Sequence, residues 1–225
     1  MISVIQVTTL GSEKRKKLLL DTIIPAWGET GLPYNLVCKA DEGIRKAVES
    51  IGGNFVEYLS WEIDKSAKLR LGIPNIKTPW CAFLDDDIYP SDNWVAETRR
   101  FLENRMLGQY GFRLVTPGGD RHTAGEDWMA MAPAWPFADT FGQGIPMTSK
   151  PMTYDINTGE YEDCAYTYVA NSVTHRDAFT TVQPFGLFNR APDVFWSFAL
   201  RDAGFRIGFN PKAVAIHAGD KTDNR

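Results

Sequence analysis

Apolar, β-branched runs alternate with helix-patterned segments through the first 106 residues, and no other feature of the chain restricts its fold so tightly. Strands are expected over residues 2–8, 34–39, 54–59 and 79–84. Between them the pattern predicts three helices. The first is capped by Ser12, runs through Lys16 and Leu20 and stops near Pro25 or Gly28. The second covers residues 44–50 and ends at Gly52-Gly53; the third covers 64–71, with Gly72 as its stop. Serine suits a helix start because its hydroxyl accepts from an orphan N–H, and glycine suits an end because it turns left-handed at little cost. After the fourth strand, Ser91 is expected to cap an amphipathic helix with Trp94, Val95, Thr98, Phe101, Leu102 and Met106 on one face. Such alternation predicts an α/β chain with a mostly parallel, doubly wound sheet. Right-handed crossovers align the strand C-termini at one edge, where ligands bind. Thr8-Thr9, Asp41-Glu42-Gly43 and Asp85-Asp86-Asp87 each follow a strand directly, so they are expected to meet in space.

The second half has a different character. Residues 116–165 are rich in Gly, Pro and aromatics (Trp128, Trp135, Phe137, Phe141, Tyr154 and Tyr161) and lack helical periodicity. A stretch of that length without regular structure is usually functional or disordered, and the aromatics argue against disorder. A strand is expected over 166–171, a helix from near Arg176, a helix over 193–203 closed by Gly204, and a last strand over 213–217.

Composition narrows the function classes. With 225 residues and 44% hydrophobic content the chain can build one sizeable core. A net charge of −4 argues against duplex nucleic acid as the main partner, since phosphate binding wants a basic face. The same acidity means that a polyanionic ligand would need a counter-ion, and a divalent cation supplies one. No run of 18 apolar residues occurs and the N-terminus has no basic leader, so neither an integral membrane segment nor a signal peptide is expected. Cys38, Cys81 and Cys164 form no close-spaced metal or redox motif. Cys38 and Cys81 read as buried thiols, and the odd count fits a reducing, cytoplasmic location.

The acidic triplet carries the chemistry. In extended chain Asp85 and Asp87 point one way and Asp86 the other. Two carboxylates on one side at a strand end suit a hard cation such as Mg2+ or Mn2+. A solvated turn, or an acid cluster opening the next helix, is the structural alternative. Asp41 can cap the helix before Ile44, or accept from a nucleobase N–H. The basic run Lys14-Arg15-Lys16-Lys17 reads as a solvated helix face before it reads as a phosphate contact. Trp128 and Trp135 can stack on a sugar or base, or pack locally, and Glu126-Asp127 is a second acidic pair.

The segment from Gly72-Ile73 to Phe83-Leu84-Asp85-Asp86-Asp87 resembles the family-2 glycosyltransferases of the GT-A fold. The likeness extends over Asn171-Ser172-Val173, His175-Arg176, Gln183-Pro184-Phe185-Gly186, Pro192-Asp193 and Pro211-Lys212-Ala213 to His217. It implies a Rossmann-like, mostly parallel sheet flanked by helices, in one domain over 1–225. Residues 1–115 would be its nucleotide-binding half and 116–225 its acceptor-binding half. It also implies a nucleotide-sugar donor, UDP-linked in the typical case, and sugar transfer with inversion. Asp87 would coordinate the metal on the diphosphate, and Asp85 the ribose or the metal shell, with Asp86 between them in the donor site. Thr8 and Thr9 would lie along the base and Asp41 would accept from it. His217 would be a third metal ligand beside Asp85 and Asp87, Mn2+ or Mg2+ being the ion. Asp193 would be the general base, although Pro192 replaces the usual preceding Glu. Arg70 stands where the family usually has Arg-Asn, at Leu69-Arg70, and is a candidate phosphate contact; Lys221, in the polar tail, is another.

Two other classes fit the residues less well. A sugar-phosphate nucleotidyltransferase would want a Gly-rich basic loop after the first strand, where this chain has only Leu10-Gly11-Ser12. A non-catalytic sugar-binding module would lack the metal acids. The acceptor is open among a glycan, a lipid-linked sugar, a protein and a modified nucleic-acid base.

Overall fold

In a computed structural model, residues 1–59, 65–103, 105–118, 153–155, 160–162, 167, 171–184 and 192–218 are described. Third from one edge of the sheet lies β1 (Ile2–Val7), all six of whose residues are buried. It pairs in parallel with β2 (Tyr34–Lys39) on one side and β4 (Trp80–Asp85) on the other, and β3 (Asn54–Tyr58) pairs in parallel outside β2. Alternate residues feed opposite faces. Ile2, Val4, Leu36, Ala82 and Leu84 enter one core, while Ile5, Val7, Val37, Cys81 and Phe83 enter the other. Strands buried on both faces are mostly apolar, and β1, β2 and β4 are so apart from buried polar residues such as Ser3, Gln6 and Asn35, which is why these runs were easy to see.

Beyond β4 the sheet becomes mixed. β9 (Asn171–His175) runs antiparallel between β4 and β6 (Gly108–Val115), and β6 pairs in parallel with β10 (Arg206–His217). β8 (Glu160–Glu162) and β7 (Thr153–Asp155) extend the edge beyond β10, and β5 (Ile88–Pro90) pairs antiparallel with the end of β10. The order is β3-β2-β1-β4-β9-β6-β10-β8-β7, ten strands with β5 among the described residues.

The helices correct several expectations. α1 (Glu13–Leu18) opens as expected, with Ser12 Oγ accepting from Arg15 N at 3.2 Å. Of the two expected stops, near Pro25 or Gly28, the second is the one seen. A π turn over Leu19–Ile23 leads straight into α2 (Ile24–Glu29), which has Pro25 in its first turn. Proline breaks a helix by lacking an N–H and crowding the preceding turn, and the widened π turn accommodates both. The helix ends one residue past Gly28, and Gly31 then takes φ +63°. α3 (Glu42–Ser50) is capped by Asp41. α4 (Lys65–Gly72) passes directly into a 3-10 turn over Ile73–Asn75, so Gly72 (φ −78°) is no left-handed stop. A Cβ there would lie 3.0 Å from Ile5 Cδ1 and 3.1 Å from Val37 Cγ2, so a larger residue would push these side chains of β1 and β2 aside by a few tenths of an ångström. α5 (Trp94–Leu102) has no side-chain cap, because the Ser91 hydroxyl donates instead to Val214 O at 2.6 Å. α6 (Arg176–Thr181) and α7 (Pro192–Asp202) follow the sequence pattern, and Gly204 closes α7 with φ +87°.

Trp27 of α2 and Trp94 of α5 meet edge to face, with centroids 5.3 Å apart, and lock these helices over one face of the sheet. Such a pair adds about 1 kcal/mol beyond the burial of its surface. Among the described residues no helix is long and apolar enough to cross a membrane.

Candidate functional site

Three loops leave the C-terminal ends of β1, β2 and β4 side by side, and the short segment from Ser12 to Lys16 spans them. Thr8 follows β1 with its side chain buried. Its hydroxyl donates to Asp86 Oδ2 at 2.5 Å and accepts from Leu10 N at 3.1 Å. Leu10 takes φ +49°, an uncommon conformation for a residue with a side chain, so the loop is held in shape by these contacts. Thr9 is exposed at the same edge.

The triplet is not an extended strand end. β4 finishes at Asp85 and the chain turns, so the predicted alternation of side chains fails. Asp86 and Asp87 are both buried, at 7% and 6% exposure, and both face Arg15 of α1. Arg15 Nη1 donates to Asp87 Oδ2 at 2.7 Å, and Nη2 lies 3.5 Å from Asp86 Oδ1. Asp85 is half-buried and pairs with Lys65 at the start of α4. The turn itself rests on a buried polar network. Gln6 Nε2 donates to Asp85 O at 2.6 Å and Ile88 O at 2.8 Å, Trp27 Nε1 donates to Ile88 O at 3.1 Å, and Tyr34 Oη donates to Gln6 Oε1 at 2.7 Å.

β10 returns to this turn from 120 residues downstream. Its last residue, His217, stands opposite Ile88 of β5, and Ala218 N donates to Asp87 O at 2.8 Å. His217 Nε2 thereby lies 3.5 Å from Asp87 Oδ1. That carboxylate oxygen is buried and accepts no hydrogen bond. An unsatisfied buried anionic oxygen costs several kcal/mol, so the position suits a cation. Neutral imidazole and carboxylate are a compatible donor set for Mn2+ or Mg2+. Among the described residues no three His, Cys, Asp or Glu side chains are grouped so as to hold a metal ion. Asp87 and His217 are brought together, while Asp85 is turned to Lys65.

Electrostatics follow from this packing. Burial pushes the Asp86 carboxyl up to about 6, against the opposing pull of Arg15 and the Thr8 hydroxyl. Burial alone would lower Arg15, but the carboxylates of Asp86 and Asp87 outweigh it and leave the guanidinium more basic than usual. Asp41 caps α3, accepting from Ile44 N at 3.0 Å, and pairs with Lys16 Nζ at 2.5 Å. Burial raises its carboxyl, but Lys16 and the helix N–H groups overcome that and hold it below the ordinary value. The cap is therefore present, and Asp41 reaches the shared edge through Lys16.

Sequence reasoning missed Arg15, Lys16 and Lys65. Arg15 and Lys16 belong to the run read as a solvated face, yet one reaches the triplet and the other Asp41. Arg70 Nη1 donates to Pro184 O at 2.5 Å. Asp193 sits in the first turn of α7, with its side chain outside the described residues. Lys221, Trp128, Trp135 and Glu126-Asp127 also lie outside them.

No protein-family profile matches the sequence, and no curated protein matches it significantly. Solved structures do match. The mannosyltransferase PcManGT of Pyrobaculum calidifontis, in complex with GDP-Man and Mn2+, superposes with a TM-score of 0.66 at 15% identity, over 98% of this chain and 57% of its own. TarS 1-349 of S. aureus, in complex with UDP-GlcNAc, gives 0.63 at 10% identity, over 98% and 59%. Glucosyl-3-phosphoglycerate synthase of Mycobacterium tuberculosis, with Mn2+, UDP and glucosyl-3-phosphoglycerate, gives 0.58 at 13% identity, over 99% and 74%. The chain thus spans less than two thirds of the first two. At such identities the likeness concerns architecture, and this chain has the GT-A fold of nucleotide-sugar glycosyltransferases.

Proposed function

We propose that this chain is a metal-dependent glycosyltransferase that moves a sugar from a nucleoside-diphosphate donor, UDP in the first instance, to an acceptor hydroxyl with inversion. The observation that carries the reading is the buried, unsatisfied Asp87 Oδ1 lying 3.5 Å from His217 Nε2 at the sheet edge. The complexes of structural neighbours, with GDP-Man and Mn2+, UDP-GlcNAc, and UDP with Mn2+, support a nucleotide sugar and a divalent ion.

Asp87 and His217 would hold the ion, with Asp85 joining them on release from Lys65. Bound there, the ion would neutralise charge on the departing nucleoside diphosphate. Thr8, Thr9 and Asp41, at the ends of β1 and β2, would form the base side of the donor site. A carboxylate is acceptor-only when ionised, so Asp41 matches the imide N–H of uracil. Asp193, at the start of α7, would take the proton of the acceptor hydroxyl as its oxygen attacks the anomeric carbon. Lys221 would contact phosphate, and residues 116–165 with their tryptophans would line the acceptor side. Arg70 would contact phosphate on release from Pro184 O. A cytoplasmic location fits this reading. The acceptor is a glycan, a lipid-linked sugar, a protein or a modified nucleic-acid base.

The test is a screen of nucleotide-sugar hydrolysis with and without Mn2+. Release of nucleoside diphosphate from one or more donors, dependent on Mn2+ and lost on chelation, is the expected result. Hydrolysis of none, or equal rates with EDTA present, would count against the proposal.

A further inference from the structure

Arg15 contacts both buried carboxylates of the acidic turn. It occupies Asp87 Oδ2, while Asp87 Oδ1 accepts no hydrogen bond. A divalent ion seated between Oδ1 and His217 would therefore share one carboxylate with a guanidinium. Two cations on a single buried carboxylate repel each other through a medium that screens poorly. We infer that Arg15 is a built-in counter-cation, which holds Asp86 and Asp87 when no divalent ion is bound and must let go of Asp87 when one arrives. The inference rests on the metal-dependent reading above and assigns its cation exchange to a residue of this chain.

The local structure allows such an exchange. The backbone of Arg15 is fixed independently of the acids, since its N–H donates to Ser12 Oγ at 3.2 Å. The next residue is tied to Asp41 by Lys16 Nζ. Release therefore needs only rotation of the Arg15 side chain, which is 30% exposed and has solvent to swing into. From that anchor the freed guanidinium stays at the sheet edge. There it can pair with an anionic donor, for which its fork of N–H groups is well shaped. Asp86 keeps the Thr8 hydroxyl in either arrangement.

The test measures Mn2+ binding by electron paramagnetic resonance on the full chain, for the wild type, Arg15→Gln and Arg15→Lys, with and without UDP. Without UDP, Arg15→Gln is expected to bind Mn2+ about ten-fold more tightly than wild type, because a competing charge-assisted hydrogen bond is gone. Arg15→Lys, which keeps the charge, is expected to fall between them. With Mn2+ saturating, Arg15→Gln is expected to bind UDP about ten-fold more weakly. General damage to the fold would weaken both ligands, so a gain in one beside a loss in the other separates exchange from misfolding. Wild-type or weaker Mn2+ affinity in Arg15→Gln without UDP overturns the inference and leaves the proposed function standing if Mn2+ binds with UDP present. Failure of every protein to bind Mn2+, with or without UDP, overturns both.

Discussion

Gln6 lies fully buried beneath the acidic turn, and its whole side chain serves that turn. Its amide group donates to two carbonyls there and accepts from Tyr34, so none of its polar atoms is idle. Gln6→Leu would leave Asp85 O and the Tyr34 hydroxyl unpaired in a dry environment, while Ile88 O would keep Trp27 Nε1. The expected cost is about 3 kcal/mol, read as a fall in the urea midpoint with the slope unchanged. A loss below about 0.5 kcal/mol would show that the network does not hold the turn. At this scale the sequence was legible where a residue's role follows from its place at a strand end. The Thr8-Thr9 segment was expected to converge with the acidic triplet, and Thr8 donates to Asp86. Gln6 was invisible, because a glutamine in an apolar run looks like an imperfection of the strand until its partners are known. Arg15 was hidden for a related reason: four consecutive cations sample all faces of a helix, and only the cap at Ser12 fixes which one points inward.

Among elements, those buried on both faces announced themselves, and those shaped by a neighbour did not. β6 carries Gly108 and Gly111 and so lacks a strand's usual composition. The structure supplies the reason for Gly108, where a Cβ would lie 2.0 Å from Arg206 O, a backbone atom of β10. Gly108→Ala therefore forces the two strands apart. It is expected to destabilise by about 2 kcal/mol in thermal or urea unfolding, with a neutral result contradicting the pairing of β6 and β10. β10 was expected only over its last five residues but runs for twelve. Pro211 interrupts the pattern, and the register shifts between Asn210 and Val214, with Asn210 Oδ1 accepting from Lys212 N at 2.9 Å. A bulge lets a proline sit inside a long strand without costing a ladder bond. β5 is three residues long and defined only by its partner, so no local periodicity could have revealed it.

For the molecule as a whole, strand order decides the chemistry. β1, β2 and β4 lie adjacent and parallel, which brings three loops to one edge, and the pairing of β5 with β10 closes that edge with His217. The first half of this arrangement follows from strand–helix alternation and right-handed crossovers, and was predictable. The second depends on contacts across more than 120 residues, and only the resemblance to family-2 enzymes pointed to it. In the proposed function, Asp87 and His217 would hold a divalent ion that assists the binding of a nucleoside diphosphate. Calorimetry of UDP binding with Mn2+, comparing wild type with Asp87→Ala, tests it most directly. The account predicts that Mn2+ strengthens UDP binding by the wild type at least about ten-fold and that Asp87→Ala abolishes this gain. Equal Mn2+-assisted affinity in the two proteins would contradict it.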